Sequence, residues 1–314
     1  LGMSCLDRFD RRAASAAALS LLLATTAHAQ TADTALPDLY VTATRLDAGI
    51  TGASTTVITA EEIARSPEQT VPGILSRQTG VQVSGLYGGA NGARSTVDIR
   101  GFGATGISNT LVLINGRRVD VPDLQGVDWG SIPLNSIERI EVTRGSSGGV
   151  LYGDGAVGGV INIVSASARR DQFRLSLEGG SWGTYNSSLG LSRVFGNHGI
   201  MITLARNGSD GHIDKTDFRA SRVQAGWDWL MTPGWELSVR GRFTPMRFDD
   251  PSRSADPAGL GTWGDIERGM GQLIVRNTAG VLTGSTQAYL NTGHHKFADG
   301  FVSDDHAWGF STYQ

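Results

Sequence analysis

Beyond Ala168 the sequence alternates apolar and polar side chains over long segments, and this period of two constrains the fold more than any other feature. Phe173, Leu175 and Leu177 are separated by polar residues, and the same alternation returns in residues 222–229 and 235–243. Successive side chains of a β-strand point to opposite faces. The pattern therefore predicts antiparallel strands, each with one apolar and one polar face.

The predicted connections between these strands alternate short with long. Residues 196–199 and 232–234 read as tight turns, whereas 208–218 and 245–266 read as long loops. Outer-membrane barrels have short turns at one end and longer loops at the other. Three tryptophans surround one short turn, where an interfacial aromatic girdle is expected: Trp227, Trp229 and Trp235. The alternative is a soluble sandwich or propeller, whose apolar faces point inward.

The N-terminal segment has the features of a secretory signal. A basic start precedes an apolar run from Ala13 to Ala27, and Ala27-His28-Ala29 fits a cleavage site, so residues 1–29 are predicted to be removed. Cys5 is the one cysteine of the sequence, which excludes a disulfide framework downstream. Residues 30–48 read as a flexible leader. Within it, the strand-prone residues 38–45 fit either addition to a partner's sheet edge or the first strand of the next domain.

Residues 49–168 predict a small α+β domain. Thr59-x-x-Glu62 is a capping box that opens a short helix ending at Arg65. Leu111 to Ile114 reads as a buried strand, and Asn115-Gly116 as a tight turn. Residues 137–164 read as two short strands joined by a long glycine loop.

The sequence offers no catalytic constellation. A formal net charge of −3 with scattered arginines gives no reason to expect nucleic acid. Two G-x-G-x-x-G segments, at 101–106 and 153–158, are discounted as nucleotide sites because strand-like residues follow too soon for a helix. The adjacent His294 and His295 should point to opposite faces of a strand, which disfavours a shared metal. No cofactor, metal site or enzymatic activity is predicted.

Charged residues cluster on and beside the strands of the 137–164 stretch. These are Arg100, Glu138, Glu141 and Arg144. Strands covered on one side bury such groups, and buried charges need partners. The four residues are therefore predicted to contact the second domain, the alternative being a solvated strand face.

Several segments resemble the TonB-dependent receptors of the bacterial outer membrane. Residues 40–45 (Tyr-Val-Thr-Ala-Thr-Arg) look like the Ton box, and 99–102 (Ile-Arg-Gly-Phe) and 111–116 (Leu-Val-Leu-Ile-Asn-Gly) look like plug motifs. Residues 137–164 are close to the family's plug signature. Asn115 stands where the family usually has Asp, and Ser146 where Pro is usual. The resemblance covers about residues 38–168.

The resemblance implies an α+β plug domain (49–168) followed by antiparallel transmembrane β-barrel strands (169–314) in the outer membrane. Because an eight-stranded barrel has no room for a plug and the sequence stops amid a strand pattern, the barrel is expected to be incomplete in this chain. The implied partners are TonB, outer-membrane lipid and a scarce nutrient, either a ferric siderophore or cobalamin. TonB would bind Leu39, Tyr40, Val41, Thr42 and Ala43.

Loop residues are the candidates for ligand contact: Tyr87, Arg94 and Trp129. Two other classes of protein stay open at this point. One is a surface signalling or adhesion protein anchored by the barrel. The other is a periplasmic enzyme with a β-sandwich, which would appear in the soluble periplasm.

Overall fold

A five-stranded sheet with short helices forms the first domain, and a single eight-stranded sheet follows it. The structure is a computed structural model that describes residues 54–85, 95–119, 126–250, 262–281 and 283–313. All of these belong to one compact unit. The predicted signal peptide and the predicted Ton box lie outside the described residues, as do Tyr87 and Arg94.

The strands of the first domain are β1 (Ser54–Thr59), β2 (Val81–Gly85), β3 (Ser95–Ile99), β4 (Thr110–Ile114), β5 (Arg117–Arg118), β6 (Ile137–Arg144) and β7 (Gly159–Ser165). Its helices are α1 (Ala60–Arg65), α2 (Val71–Ser76), α3 (Gly106–Asn109) and α4 (Ser147–Tyr152). Short 3₁₀ helices cover Gly103–Thr105, Trp129–Ser131 and Leu134–Ser136.

The five-stranded sheet has the order β1-β6-β7-β4-β5, and β2 pairs separately with β3. Only the β4–β7 pair is parallel among the described pairs of this sheet. The alternating Ile140 and Val142 of β6 and the apolar run of β7 are fully buried, and helices α1 and α2 add Ile63 and Leu75 to the same core. Apolar burial of this kind is the main stabilising contribution to a domain of this size.

The predicted capping box is confirmed at the start of α1. The Thr59 hydroxyl accepts a hydrogen bond from the Glu62 amide at 3.3 Å, and the Thr59 amide donates to the Glu62 carboxylate at 2.7 Å. Two amides at the helix start are thereby satisfied. These bonds to Thr59, first the backbone one, lower the pKa of Glu62 below its ordinary value.

The capping box predicts a pH-dependent effect of Glu62→Gln. Because the pKa of Glu62 is lowered in the folded state, its carboxylate stabilises the fold above the pKa of the unfolded chain, and this is lost as the pH falls through the folded pKa. We expect the variant to unfold at a slightly lower temperature at neutral pH and to match the parent in acid. A difference in thermal midpoint that does not change with pH would contradict this.

The Asn115-Gly116 turn is also confirmed. Asn115 and Gly116 both have positive φ, at 52° and 77°, as a two-residue hairpin turn requires. The Asn115 side chain donates to the Ser165 hydroxyl at 2.8 Å and accepts from the Ser165 amide at 2.9 Å. The side-chain amide of Asn115 therefore holds the turn against the end of β7 through both its nitrogen and its oxygen.

Two predictions about glycine-rich segments were wrong in detail. The loop of the 137–164 stretch contains α4, so its two strands are joined through a helical turn. The segment 101–106 contains a 3₁₀ turn at Gly103–Thr105, and the four-residue α3 begins at its last residue, where no helix was expected. A helix of one turn provides too few aligned amides for a dinucleotide pyrophosphate, so the conclusion about nucleotide binding is unchanged.

The second part is an antiparallel sheet of eight strands in sequence order, here called the wall sheet. Its strands are β8 (Gln172–Gly179), β9 (Tyr185–Phe195), β10 (His198–Ser209), β11 (Phe218–Thr232), β12 (Trp235–Asp250), β13 (Thr262–Asn277), β14 (Gly284–Phe297) and β15 (Val302–Tyr313). No helix of the described residues is both long and apolar enough to span a bilayer.

The loop predicted at 245–266 is shorter than expected, because β12 continues to Asp250 and β13 begins at Thr262. Pro245 lies inside a strand and faces Glu267 of β13. On its other side the pairing with β11 is interrupted between Met246 and Phe243. Proline has no amide hydrogen to donate, so a strand tolerates it where the ladder is broken.

The orientation of the wall sheet's two faces separates a membrane wall from a soluble sandwich. The apolar side chains of β8 point outward, with Phe173 66% and Leu177 72% exposed. The polar face is covered by the first domain and buries Arg222, Gln224 and Ser238. A soluble sandwich would bury the opposite face, whereas a transmembrane barrel turns its apolar face to lipid.

An aromatic stack lies beside the tight turns at one end of the wall sheet. His198 stacks on Trp227 and on Trp229, with ring centroids 5.8 and 5.6 Å apart, and the two tryptophans are 5.9 Å from each other. Trp235 begins the next strand and is 40% exposed. The rings form the outward aromatic cluster that the sequence predicted at this turn.

Candidate functional site

Residues 166–171 connect the first domain to the wall sheet, and we call them the linker. The amide of Ala168 donates to the Asp228 carboxylate of β11 at 2.8 Å. The neighbouring Arg169 donates to Glu236 of β12 at 2.6 Å. The linker is thus bonded to two adjacent wall strands at the end that carries the tight turns.

Further buried groups hold these two carboxylates. Asp228, 1% exposed, also accepts from Arg240 at 2.6 Å, and Arg276 donates to Glu236 at 3.1 Å. The Ser238 hydroxyl lies between the carboxylates, 2.6 Å from Asp228 and 2.9 Å from Glu236. We call this set the linker clamp: Ala168, Arg169, Asp228, Glu236, Ser238, Arg240 and Arg276. Buried charges that are paired and hydrogen-bonded in this way are tolerated, but the loss of one partner is costly.

The linker also passes very close to Gly199 of β10. A Cβ at Gly199 would lie 1.8 Å from the Ala168 carbonyl oxygen and 2.8 Å from its carbon. Both atoms belong to backbone that the clamp holds in place. A side chain at position 199 is therefore incompatible with the observed path of the linker.

A second group of contacts joins the segment 126–135 to the wall. Arg222 of β11 donates to the Gly130 carbonyl, at 2.9 Å from Nε, and to Asn207 at 2.6 Å. Arg268 of β13 makes an ion pair with Asp128 and another, at 2.7 Å, with Asp305 of β15. Arginines of the wall thus hold a backbone carbonyl and a carboxylate of the first domain.

The turn between β4 and β5 makes the third group of contacts. The Gln287 side chain donates to the Gly116 carbonyl at 3.2 Å, and Gln272 lies 3.5 Å from the Asn115 carbonyl. Arg117, 2% exposed, donates to the Asn291 side chain and lies over the Tyr289 ring at 5.7 Å. The interface between the domains consequently rests largely on hydrogen bonds and ion pairs.

A cavity of about 940 Å³ lies between the first domain and strands β8 to β11. Polar groups from both sides line it, among them Gln69, Asn135, Arg174, Asn207 and Arg222. Its volume is within the range of small-molecule sites.

Of the four charged residues predicted to contact the second domain, three have side chains bonded within the first. Arg144 donates to the Thr79 carbonyl and the Thr56 hydroxyl, each at 2.8 Å. Glu141 accepts from Arg139 at 2.8 Å and from Asn162 at 2.9 Å. Glu138 pairs with Arg139, and Arg100 is exposed with its guanidinium beside Gly145. Contact of these residues with the wall stays a prediction.

Trp129, predicted as a ligand contact, is 3% exposed and belongs to the core cluster of the first domain. Trp129 nevertheless lines the large cavity together with Gly130. A ligand role for Trp129 stays a prediction. Among the described residues no group of three or more His, Cys, Asp or Glu side chains is arranged to hold a metal ion.

Sequence reasoning missed the residues of the linker clamp. Asp228, Glu236 and Arg240 appeared only as polar partners in an alternating strand. Their position in the sequence could have identified them, since all three lie on the covered polar face of the wall sheet, in the two strands joined by the tight turn at 233–234. Charged side chains on a covered strand face need partners from whatever covers it.

An α+β domain seated on the polar face of a sheet whose apolar face points outward is the arrangement expected of a plugged outer-membrane barrel. Residues 49–160 match the family model described as TonB-dependent Receptor Plug Domain. This match, together with the relatives and structures below, supports a TonB-dependent receptor, a class of outer-membrane β-barrel proteins.

Two relatives are named vitamin B12 transporter BtuB. The protein from Photobacterium profundum is 35% identical over 218 residues, which are 65% of this chain and 35% of that protein. The protein from Vibrio vulnificus is 34% identical over 175 residues, 55% of this chain and 27% of that protein. The chain therefore spans about a quarter to a third of the length of these relatives. Their names describe transporters, in line with the prediction that the chain is not an enzyme.

Solved receptor structures share the fold. The siderophore receptor PirA from Pseudomonas aeruginosa has a TM-score of 0.63 at 22% identity, covering 82% of this chain and 44% of PirA. The ferric yersiniabactin uptake receptor FyuA from Yersinia pestis has a TM-score of 0.64 at 20% identity, covering 78% of this chain and 41% of FyuA. The predicted fold class, a plug domain followed by antiparallel barrel strands, is confirmed.

Proposed function

We propose that this chain is the plug and the first wall strands of a receptor that imports a scarce nutrient, cobalamin or a ferric siderophore, with energy supplied through TonB. The main observation that supports this proposal is the polar interface between the plug and the wall sheet. Polar interfaces between domains separate more readily than apolar ones, because water replaces their bonds. A plug held in this way blocks the lumen at rest and is released when it is pulled.

The names of the relatives suggest the first ligand to test. The relatives that are 30–35% identical are named vitamin B12 transporters, so cobalamin comes first and ferric siderophores second. The large cavity beside the plug is where part of a passage between plug and wall would open. Ligand contact at Tyr87 and Arg94, and TonB contact at residues 39–43, belong to the same proposal.

Uptake by cells that carry the full-length receptor is expected to depend on the proton gradient. We expect accumulation of labelled cobalamin, or of ferric siderophore, to fall to the passive level when the gradient is discharged, while binding at the cell surface persists. Uptake that continues at full rate would refute coupling to TonB.

A proline substitution in the predicted Ton box tests the proposed TonB contact directly. Val41→Pro removes a backbone donor that pairing with a partner strand needs, so uptake is expected to disappear with surface binding intact. Ala32→Pro, in the same leader but outside residues 38–45, is the matched control and should leave uptake unchanged. Equal uptake by both variants would place the TonB contact elsewhere.

A further inference from the structure

A small cavity between the plug and the wall is surrounded by an unbalanced set of charges. Its volume is about 30 Å³, and it lies between the β4–β5 turn and strands β12 to β15. The charged residues that line it are Arg117, Asp128, Arg242, Arg268 and Asp305. Three guanidinium groups therefore face two carboxylates, which leaves one positive charge in excess.

Both carboxylates form ion pairs with the same arginine, Arg268. It pairs with Asp128 of the plug and with Asp305 of β15. Arg268 thus bridges the two acidic residues that line this cavity. Neither of the other two arginines has an ion pair with a carboxylate within the described residues.

Arg117 is a buried cation whose hydrogen bonds go only to neutral atoms. It donates to the Asn291 side chain and to the Arg118 carbonyl, the latter at 3.3 Å. Its Nε and Nη2 atoms are buried and have no hydrogen-bond partner in the part of the chain that the structure describes. Burial, and then the nearby Arg242 guanidinium, lower the pKa of Arg117 to about 9. Arg117 still carries its charge at neutral pH, at a cost in free energy.

Arg242 is the second cation, and it reaches into the space beside Arg117. It is half-buried and lines both this cavity and a neighbouring one of about 10 Å³. Across the described ranges its side chain makes neither a hydrogen bond nor an ion pair. The one arginine next to it in the smaller cavity, Arg240, is already paired with Asp228.

Two like charges held together in a covered site repel each other, and both lack charged partners. A negative group between them removes the repulsion and accepts the free guanidinium hydrogens. The size of the cavity limits that group, because about 30 Å³ corresponds to one or two water-sized particles. An organic ligand does not fit.

We propose that a small inorganic anion of the size of chloride binds between Arg117 and Arg242 and helps to hold the plug against the wall. Arg117 belongs to the plug and Arg242 to β12, so one bound anion bridges the two domains. The site is separate from the linker clamp. It does not depend on which nutrient the receptor carries.

Bromide substitution tests the proposal directly. The full-length receptor in detergent is crystallised in sodium bromide, and anomalous diffraction is measured at the bromine edge. We expect a peak between Arg117 and Arg242. Absence of a peak there, or a carboxylate of the longer protein paired with Arg242, overturns the proposal without any need for a variant.

A solution measurement with variants adds a second readout. We expect a higher thermal midpoint in chloride than in gluconate at equal ionic strength and pH. Arg242→Gln should abolish this difference and the bromide peak, whereas Arg193→Gln, at an arginine whose side chain is 62% exposed, should keep both. A chloride effect that survives in Arg242→Gln would show anion binding elsewhere and refute this site.

Discussion

Alanine at Asp228 is expected to free the linker from the wall and to cost about 3–5 kcal/mol of stability, the range for breaking a buried ion pair. The substitution removes the acceptor of the Ala168 amide and leaves Arg240 buried without its carboxylate. The measurement is thermal and denaturant unfolding of the full-length receptor in detergent. Entry of a large antibiotic into cells gives a second readout, since a loosened plug admits it.

The matched control is Asp304→Ala. Asp304 also belongs to an ion pair, with His294 at 2.7 Å, but its side chain is 79% exposed. Exposed pairs contribute about 0–1 kcal/mol, so the control substitution should change the stability of the receptor very little. Equal effects of the two substitutions would show that the clamp does not hold the linker.

Gly199→Ala should displace the linker, at a cost in the upper part of the roughly 1–3 kcal/mol range for overpacked sites. The added Cβ meets the Ala168 carbonyl at 1.8 Å, and backbone held by the clamp cannot move aside freely. We expect a lower thermal midpoint and a leak of large antibiotics, as for Asp228→Ala.

Gly271→Ala tests whether the cause is the contact and not the loss of a glycine. A Cβ at Gly271 meets nothing within 4 Å, and this strand glycine is exposed. Alanine there should therefore be tolerated. Because Gly199→Ala and Asp228→Ala loosen the same linker, their combined effect should be smaller than the sum. Full additivity would contradict a shared cause.

Much of the fold could be predicted because its signals are local. The capping box at Thr59 and Glu62 lies within four residues, and the Asn115-Gly116 turn within two. The alternation of the wall strands also requires only neighbouring residues. Strand extent was less predictable, since Pro245 is tolerated only because of a break in its pairing with β11.

The plug–wall contacts could not be predicted in the same way. The Asp228 carboxylate meets Ala168 across 60 residues, and Arg222 meets Gly130 across 92. The charges of β6 drew attention because they sit in the most recognisable stretch. In the structure, Arg144 of β6 bonds to Thr56 of the neighbouring β1, which is its partner strand. Only the three-dimensional pairing shows which charges are satisfied within the plug.

Residues 227–229 of β11 place two different functions on three consecutive positions. Asp228 points into the lumen and holds the linker, while Trp227 and Trp229 stack with His198 on the outer face. In the proposed uptake cycle, a force that draws the plug out of the lumen would pass through the linker to Asp228. It would enter the wall between two rings suited to anchoring at the membrane–water boundary. The load would then reach the lipid boundary through a single strand.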